Sequence, residues 1–116
     1  MEIIIYHNPR CSKSRQTLEL IESHGIVPVV IEYLNTPPTH LQLDSILRGL
    51  DMQPRELMRK GQAEYAEQNL ADESLGRDTL IEAMINTPIL IERPIVVAGD
   101  EIVIGRPPEA VLGVLP

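Results

Sequence analysis

The sequence predicts one α/β domain in which a βαβ unit, an inserted helical region over about residues 39–87 and a closing ββα unit build one mixed sheet. Three observations predict it. The β-branched run Ile3-Ile4-Ile5-Tyr6 is followed by Thr17, Leu18, Ile21 and His24 at helical spacing, then by a second apolar run from Val27 to Tyr33. Near the other end, Ile95 to Ala98 and Glu101 to Ile104 flank Gly99-Asp100, a two-residue connection suited to a tight antiparallel hairpin. The stretch between carries only amphipathic helical patterns.

Taken in order, the first two strands should be parallel, with a right-handed crossover through the helix that Gly25 ends. Val27 to Tyr33 is nearly all apolar, which predicts a strand interior to the sheet. Asn35-Thr36-Pro37-Pro38 breaks the chain, and Thr39 with Gln42 has capping-box spacing. A helix follows to about Gly49 or Leu50, with Leu43, Ile46, Leu47 and Leu50 on one face. Pro54 suits the first position of a further short helix that Gly61 ends and that carries Arg55, Arg59 and Lys60. Gln62 to Ser74 is polar and acidic, predicting short helical turns around Tyr65. Gly76 caps a helix that turns Leu80, Ile81, Met84 and Ile85 inward and ends near Asn86-Thr87-Pro88. Pro94 stands where a strand start tolerates proline. Pro107-Pro108-Glu109 opens a final helix whose Val111, Leu112 and Leu115 should cover the sheet.

A chain of 116 residues without Phe or Trp and with three Tyr must build its core from aliphatic side chains. No run approaches the roughly 18 apolar residues of a membrane span, and no signal-peptide pattern precedes the first strand, so a soluble cytoplasmic protein is expected. A net charge of −7 argues against nucleic acid as a partner. The single cysteine excludes an internal disulfide and a self-contained dithiol centre, so redox chemistry at Cys11 would need a thiol from another molecule. Cys11, His7, His24 and His40 lack zinc-ligand spacing, so no metal is expected.

The chemistry is expected in His7-Asn8-Pro9-Arg10-Cys11-Ser12-Lys13-Ser14-Arg15. A cysteine between strand and helix meets unpaired N–H groups and the positive end of the helix dipole, which favour thiolate. Residues 3 to 18 contain Arg10, Lys13 and Arg15 and no acid, so the helix start is also an anion site. Arg15 lies one turn beyond Cys11 and can project toward the sulfur, Ser14 can lend it a hydroxyl, and His7 can approach from the strand end. A lone cysteine is ordinarily a small buried apolar residue, but the junction and the charge pattern here reverse that expectation.

His7-Asn8-Pro9-x-Cys11-x-x-Ser14-Arg15 after an apolar strand resembles the active-site loop of the glutaredoxin-coupled arsenate reductases, a branch of the thioredoxin superfamily. The resemblance continues through Glu56-Leu57-Met58-Arg59-Lys60, Leu90-Ile91-Glu92-Arg93-Pro94-Ile95-Val96-Val97 and Gly105-Arg106-Pro107-Pro108-Glu109, four segments in the family's order. It implies a thioredoxin-like fold with a cis Arg93-Pro94 bond. It also implies Cys11 as the nucleophile toward arsenate or a similar oxyanion, with Arg59, Arg93 and Arg106 holding substrate and adduct and His7, Ser14 and Arg15 supporting the thiolate. No cofactor would be bound; glutathione and glutaredoxin would act as external reductants and partners of a monomer. The family usually reads Cys-Gly-Thr-Ser-Arg where this chain has Cys11-Ser12-Lys13-Ser14-Arg15. That departure keeps open a glutathione-reactive paralogue that does not use arsenate. A regulator of the Spx type is the other alternative, although its usual Cys-x-x-Cys switch would need a cysteine where Ser14 stands. Cysteine phosphatases keep five residues between cysteine and arginine, whereas Cys11 and Arg15 are separated by three.

Overall fold

The run Ile3-Ile4-Ile5-Tyr6 forms strand β1 (Ile3–His7), flanked by a neighbour on each side. In this computed structural model, which describes residues 1–116, the chain divides into two compact units. The first unit is Met1–Thr36 with Arg93–Pro116, and the second is Pro37–Glu92.

In the first unit, β1 pairs in parallel with β2 (Val29–Glu32) and antiparallel with β3 (Ile95–Ala98), which pairs antiparallel with β4 (Glu101–Ile104). The order β2-β1-β3-β4, with helix α1 (Ser12–Ser23) joining β1 to β2, is a thioredoxin-like arrangement. Ile3, Ile5, Ile21, Val96, Ala98 and Val111 form its buried aliphatic core. Each of its Ile and Val side chains contributes roughly 1.5–3 kcal/mol when fully buried, so a charge at Ile21 would break the packing of α1. Gly25, at φ +75°, stops that helix in the left-handed region.

Two expectations fail in this unit. Strand β2 is at the edge, and Val29 and Val30 are exposed; an apolar run alone does not distinguish an interior strand from a short edge strand, because strand order is set by non-local pairing. The final helix is a short 3-10 helix, Pro108–Gly113: Val111 is buried and Leu115, beyond the helix, packs against the core as expected, but Leu112 faces solvent, because three residues per turn set neighbouring side chains a third of a turn apart.

The second unit is helical. Thr39 and Gln42 close the capping box at the start of α2 (His40–Leu50): Gln42 N–H donates to Thr39 Oγ1 at 3.1 Å, and Thr39 N–H to Gln42 Oε1 at 2.9 Å. Leu43, Ile46 and Leu47 are buried on α2, as are Leu80, Ile81 and Met84 on α4 (Arg77–Asn86). Asp44 joins the two helices by accepting from the Arg77 guanidinium at 2.8 Å. Residues Ala63–Glu67 form α3, the short turn around Tyr65. The helix opened by Pro54 is a 3-10 turn, Pro54–Leu57, that ends before Gly61. It stops early because the backbone beyond it is extended and bonded elsewhere. Met58 bridges Ile91, Arg59 N–H donates to Leu90 O at 2.7 Å, and Glu92 N–H to Leu57 O at 2.8 Å. Arg59 and Lys60 therefore lie beyond the turn, not on it. Arg55 is held by the carbonyls of Leu70 and Asp72, at 2.9 and 2.6 Å. No helix of the chain is long and apolar enough to cross a membrane.

Candidate active site

Strand β1 ends in a loop that its own polar groups tie down. Cys11 N–H donates to Asn8 O and Arg10 N–H to Asn8 Oδ1, both at 3.0 Å, the local turn that an Asn-Pro dipeptide favours. Ser14, fully buried on the first turn of α1, reaches back to the strand. Its Oγ accepts from Asn8 N–H at 3.0 Å and lies 2.6 Å from His7 Nδ1. Burial lowers the His7 pKa, against a raising effect of Glu32 and with a further lowering by Arg15. With Nδ1 unprotonated, the Ser14 hydroxyl can donate to it. Ser14 thus serves the loop with its hydroxyl, and it is its backbone N–H that faces the sulfur. Arg15 also acts on the backbone, donating to Pro9 O at 2.9 Å.

Cys11 is the N-cap residue of α1, with φ −92° and ψ 122°. Burial pushes its thiol up, but the Ser14 N–H, the Arg93 guanidinium, the Lys13 N–H and the Arg106 guanidinium together outweigh that effect, and the pKa lies below the ordinary cysteine value. No cap hydrogen bond of ordinary geometry closes on the sulfur, so the two helix-start amides act on it as oriented dipoles.

The β3–β4 hairpin explains how two arginines distant in sequence reach one sulfur. Its two-residue turn sets Ile95 opposite Ile104, and the pairing extends one residue further, to Pro94 and Gly105, the neighbours of the two arginines. Gly105 N–H donates to Pro94 O at 2.9 Å; beyond it the Arg106 N–H turns back to Ile104 O at 2.9 Å, and the Arg106 side chain donates through one terminal nitrogen to Arg93 O at 3.2 Å. That nitrogen is also 3.7 Å from Cys11 Sγ, and buried Arg93 hydrogen-bonds the sulfur. Both the Arg93-Pro94 and the Arg106-Pro107 bonds are cis; the family resemblance implied the first, and the second was not anticipated. Arg59 belongs to the helical unit, where its guanidinium is 3.9 Å from Glu92.

Beside the loop is a cavity of about 360 Å³ lined by His7, Asn8, Pro9, Arg10, Glu32, Leu34 and Asn35. It presents a cation, Arg10, and an anion, Glu32, within one small concavity. Sequence reasoning placed Asn8 in the loop without giving it a role, and it missed Glu32. Asn-Pro after a strand signals the first, while the second needs the β1–β2 register that sets Glu32 opposite His7. His24 lies at the C-terminal end of α1, its Nδ1 2.9 Å from Leu20 O; His40 opens α2 between Asp78 and Glu82, at 3.3 and 2.9 Å. No cluster of three or more His, Cys, Asp or Glu side chains is arranged to hold a metal ion.

The thioredoxin-like sheet thus presents one cysteine at a helix start with two guanidinium groups against its sulfur. The chain belongs to the ArsC family, whose profile spans residues 6–114. It is 51% identical over 115 residues to the uncharacterised protein YfgD of Escherichia coli strain K12, covering 98% of this chain and 97% of that one. It is 46% identical over 114 residues to an arsenate reductase of Escherichia coli, covering 98% of this chain and 81% of that one. Among solved structures it superposes on an arsenate reductase from Vibrio cholerae with a TM-score of 0.95 and 48% identity, covering 99% and 98% of the two chains.

Proposed function

We propose that the chain is an arsenate reductase in which the Cys11 thiolate attacks arsenic. The observation that carries this reading is the sulfur itself, held at a helix start with Arg106 at 3.7 Å and Arg93 bonded to it. A thiolate alone would repel an oxyanion. Guanidinium groups at the sulfur offset that repulsion and offer the paired donors that fit tetrahedral oxygens. Arg59 is assigned as the third arginine on substrate and adduct. Ser14 and His7 hold the loop, and Arg15 braces it through Pro9 O.

Attack forms an S–As bond, and one arsenate oxygen leaves as water after taking up protons. A glutathione thiolate then attacks the Cys11 sulfur. An S–S bond forms, the S–As pair departs with arsenic, and As(V) becomes As(III), released as arsenite. Glutaredoxin attacks the mixed disulfide and returns the Cys11 thiolate. Each turnover therefore oxidises two external thiols, as a chain with a single cysteine requires. The cavity beside the loop supports the use of a small zwitterionic thiol, since Arg10 suits a carboxylate and Glu32 an ammonium group. The protein works in this reading as a cytoplasmic monomer without a bound metal or cofactor.

The test is arsenite production by the purified chain supplied with arsenate, glutathione and glutaredoxin. Turnover should require arsenate and vanish in Cys11→Ser. Failure of the parent with any glutaredoxin tried refutes it. The glutathione-reactive alternative, favoured by the Ser12-Lys13 departure, would then show as glutathionylation of Cys11 without arsenate-dependent turnover.

A further inference from the structure

We infer that Gly105 and Thr17 form a positioning contact that sets Arg93 and Arg106 against the Cys11 sulfur. Neither residue touches the sulfur in this assignment; both act through the arginines. Thr17 is fully buried on α1, and its hydroxyl donates to Lys13 O at 2.8 Å while lying 3.3 Å from Gly105 O. Gly105 is buried against it more closely than any side chain would permit. A Cβ added there would stand 2.5 Å from Thr17 Oγ1, 2.8 Å from Pro94 Cγ and 2.9 Å from Thr17 Cγ2, all inside the 3.0 Å that real Cβ contacts respect. Close approach, not an unusual backbone angle, is what requires glycine here.

The neighbours of this contact are what give it a function. Gly105 immediately precedes Arg106, and Pro94 immediately follows Arg93. Gly105 N–H donates to Pro94 O at 2.9 Å, so the two arginine-bearing segments are fastened to each other at the same point where they rest on α1. Helix α1 in turn begins at Cys11, its N-cap. The sulfur and the two guanidinium groups are thus referenced to one packed junction, in which Thr17 stands for the helix and Gly105 for the hairpin. A methyl group at 105 would push the hairpin end off the helix, carrying Arg93 and Arg106 away from a sulfur whose acidity depends on both.

The experiment is a titration of Cys11 thiolate absorbance against pH in Gly105→Ala, with Gly105→Ala/Thr17→Ala as the rescue. The second substitution removes Oγ1 and Cγ2, two of the three atoms that the new methyl would strike. Gly105→Ala should raise the proton affinity of Cys11 by about threefold or more, and the double variant should recover at least half of that change. A merely structural role for Gly105 would lower the unfolding temperature without moving the thiol. The proposal is overturned if the thiol titrates as in the parent, or is shifted equally in the single and double variants. Should Gly105→Ala not fold, Thr17→Ala decides. It removes both atoms that pack on Gly105, and an unshifted thiol there is equally fatal. Arsenate turnover, which rests on the function proposed above, should fall roughly 10- to 100-fold in Gly105→Ala. The titration needs no arsenate, so failure of that function shows in the parent's turnover alone and leaves the positioning test intact.

Discussion

Ser14→Ala is the substitution whose cost can be worked most directly from the structure. It deletes one oxygen that accepts from Asn8 N–H at 3.0 Å and meets His7 Nδ1 at 2.6 Å, in a place where all three residues are buried. Two polar groups are then left without this partner, and each costs about 1–3 kcal/mol when unsatisfied. The better helix propensity of alanine returns about 0.5 kcal/mol, and the lost oxygen leaves a small void. The net destabilisation should be about 2–4 kcal/mol. For a chain of 116 residues, an unfolding entropy of about 2.1 cal/mol/K per residue converts each kcal/mol to roughly 4 °C. Calorimetry should accordingly show Tm lowered by roughly 8–16 °C. The thiol should remain acidic, because the Ser14 N–H that faces the sulfur is retained in alanine. A loss of Tm under about 3 °C would show that the hydroxyl does not fasten the loop, and the role given to His7 and Ser14 would fall with it.

Because the folded-state pKa of Cys11 is depressed, its contribution to stability is fully present above the unfolded value of about 8.5 and is lost as pH falls through the folded value. Urea unfolding of the parent and Cys11→Ser between about pH 5 and pH 9 should show a gap that grows with pH; a flat or shrinking gap contradicts the assignment. Arg93→Lys keeps the charge but loses the paired donors, worth roughly 1.5–3 kcal/mol, so arsenate reduction should drop about 10- to 100-fold while alkylation of Cys11 by a neutral reagent hardly changes. Equal arsenate rates in variant and parent would remove the oxyanion role from Arg93.

What was legible in the sequence follows the range of the interactions concerned. Cys11 at a strand-to-helix junction and the Thr39–Gln42 capping box are local relations, and both stand in the structure. The edge position of β2 was not legible, since hydrophobicity reports burial averaged over a run and not which strand lies alongside. Arg55 reads as an ordinary surface arginine until the fold brings Leu70 and Asp72 carbonyls to it. Arg93 and Arg106 were singled out by resemblance alone, yet a local signal was present. Given the two-residue turn at Gly99-Asp100, antiparallel register sets their neighbours Pro94 and Gly105 opposite each other without any reference to relatives. The role of Thr17 was hidden for the opposite reason. On the helix it reads as one more inward-facing residue, and only its spacing from Gly105 distinguishes it.

The charge distribution limits how the proposed site can capture its substrate. A chain with net charge −7 presents a field that opposes an approaching oxyanion, and the cations that would attract it are concentrated in an acid-free segment and in two arginines at the sulfur. At physiological ionic strength the screening length is about 8 Å, so acids farther away than that are largely silenced, whereas guanidinium groups in contact with the anion are not. Long-range steering therefore contributes little, and recognition depends on contact geometry around Cys11. In such a site small displacements are expensive, because no diffuse field compensates for a guanidinium moved off its partner. The packing of Gly105 on Thr17, the Pro94–Gly105 hydrogen bond and the Ser14 clasp all act on that geometry. Under the proposed function, these contacts hold the helix start and the two arginine-bearing segments in the arrangement on which gripping the anion would depend.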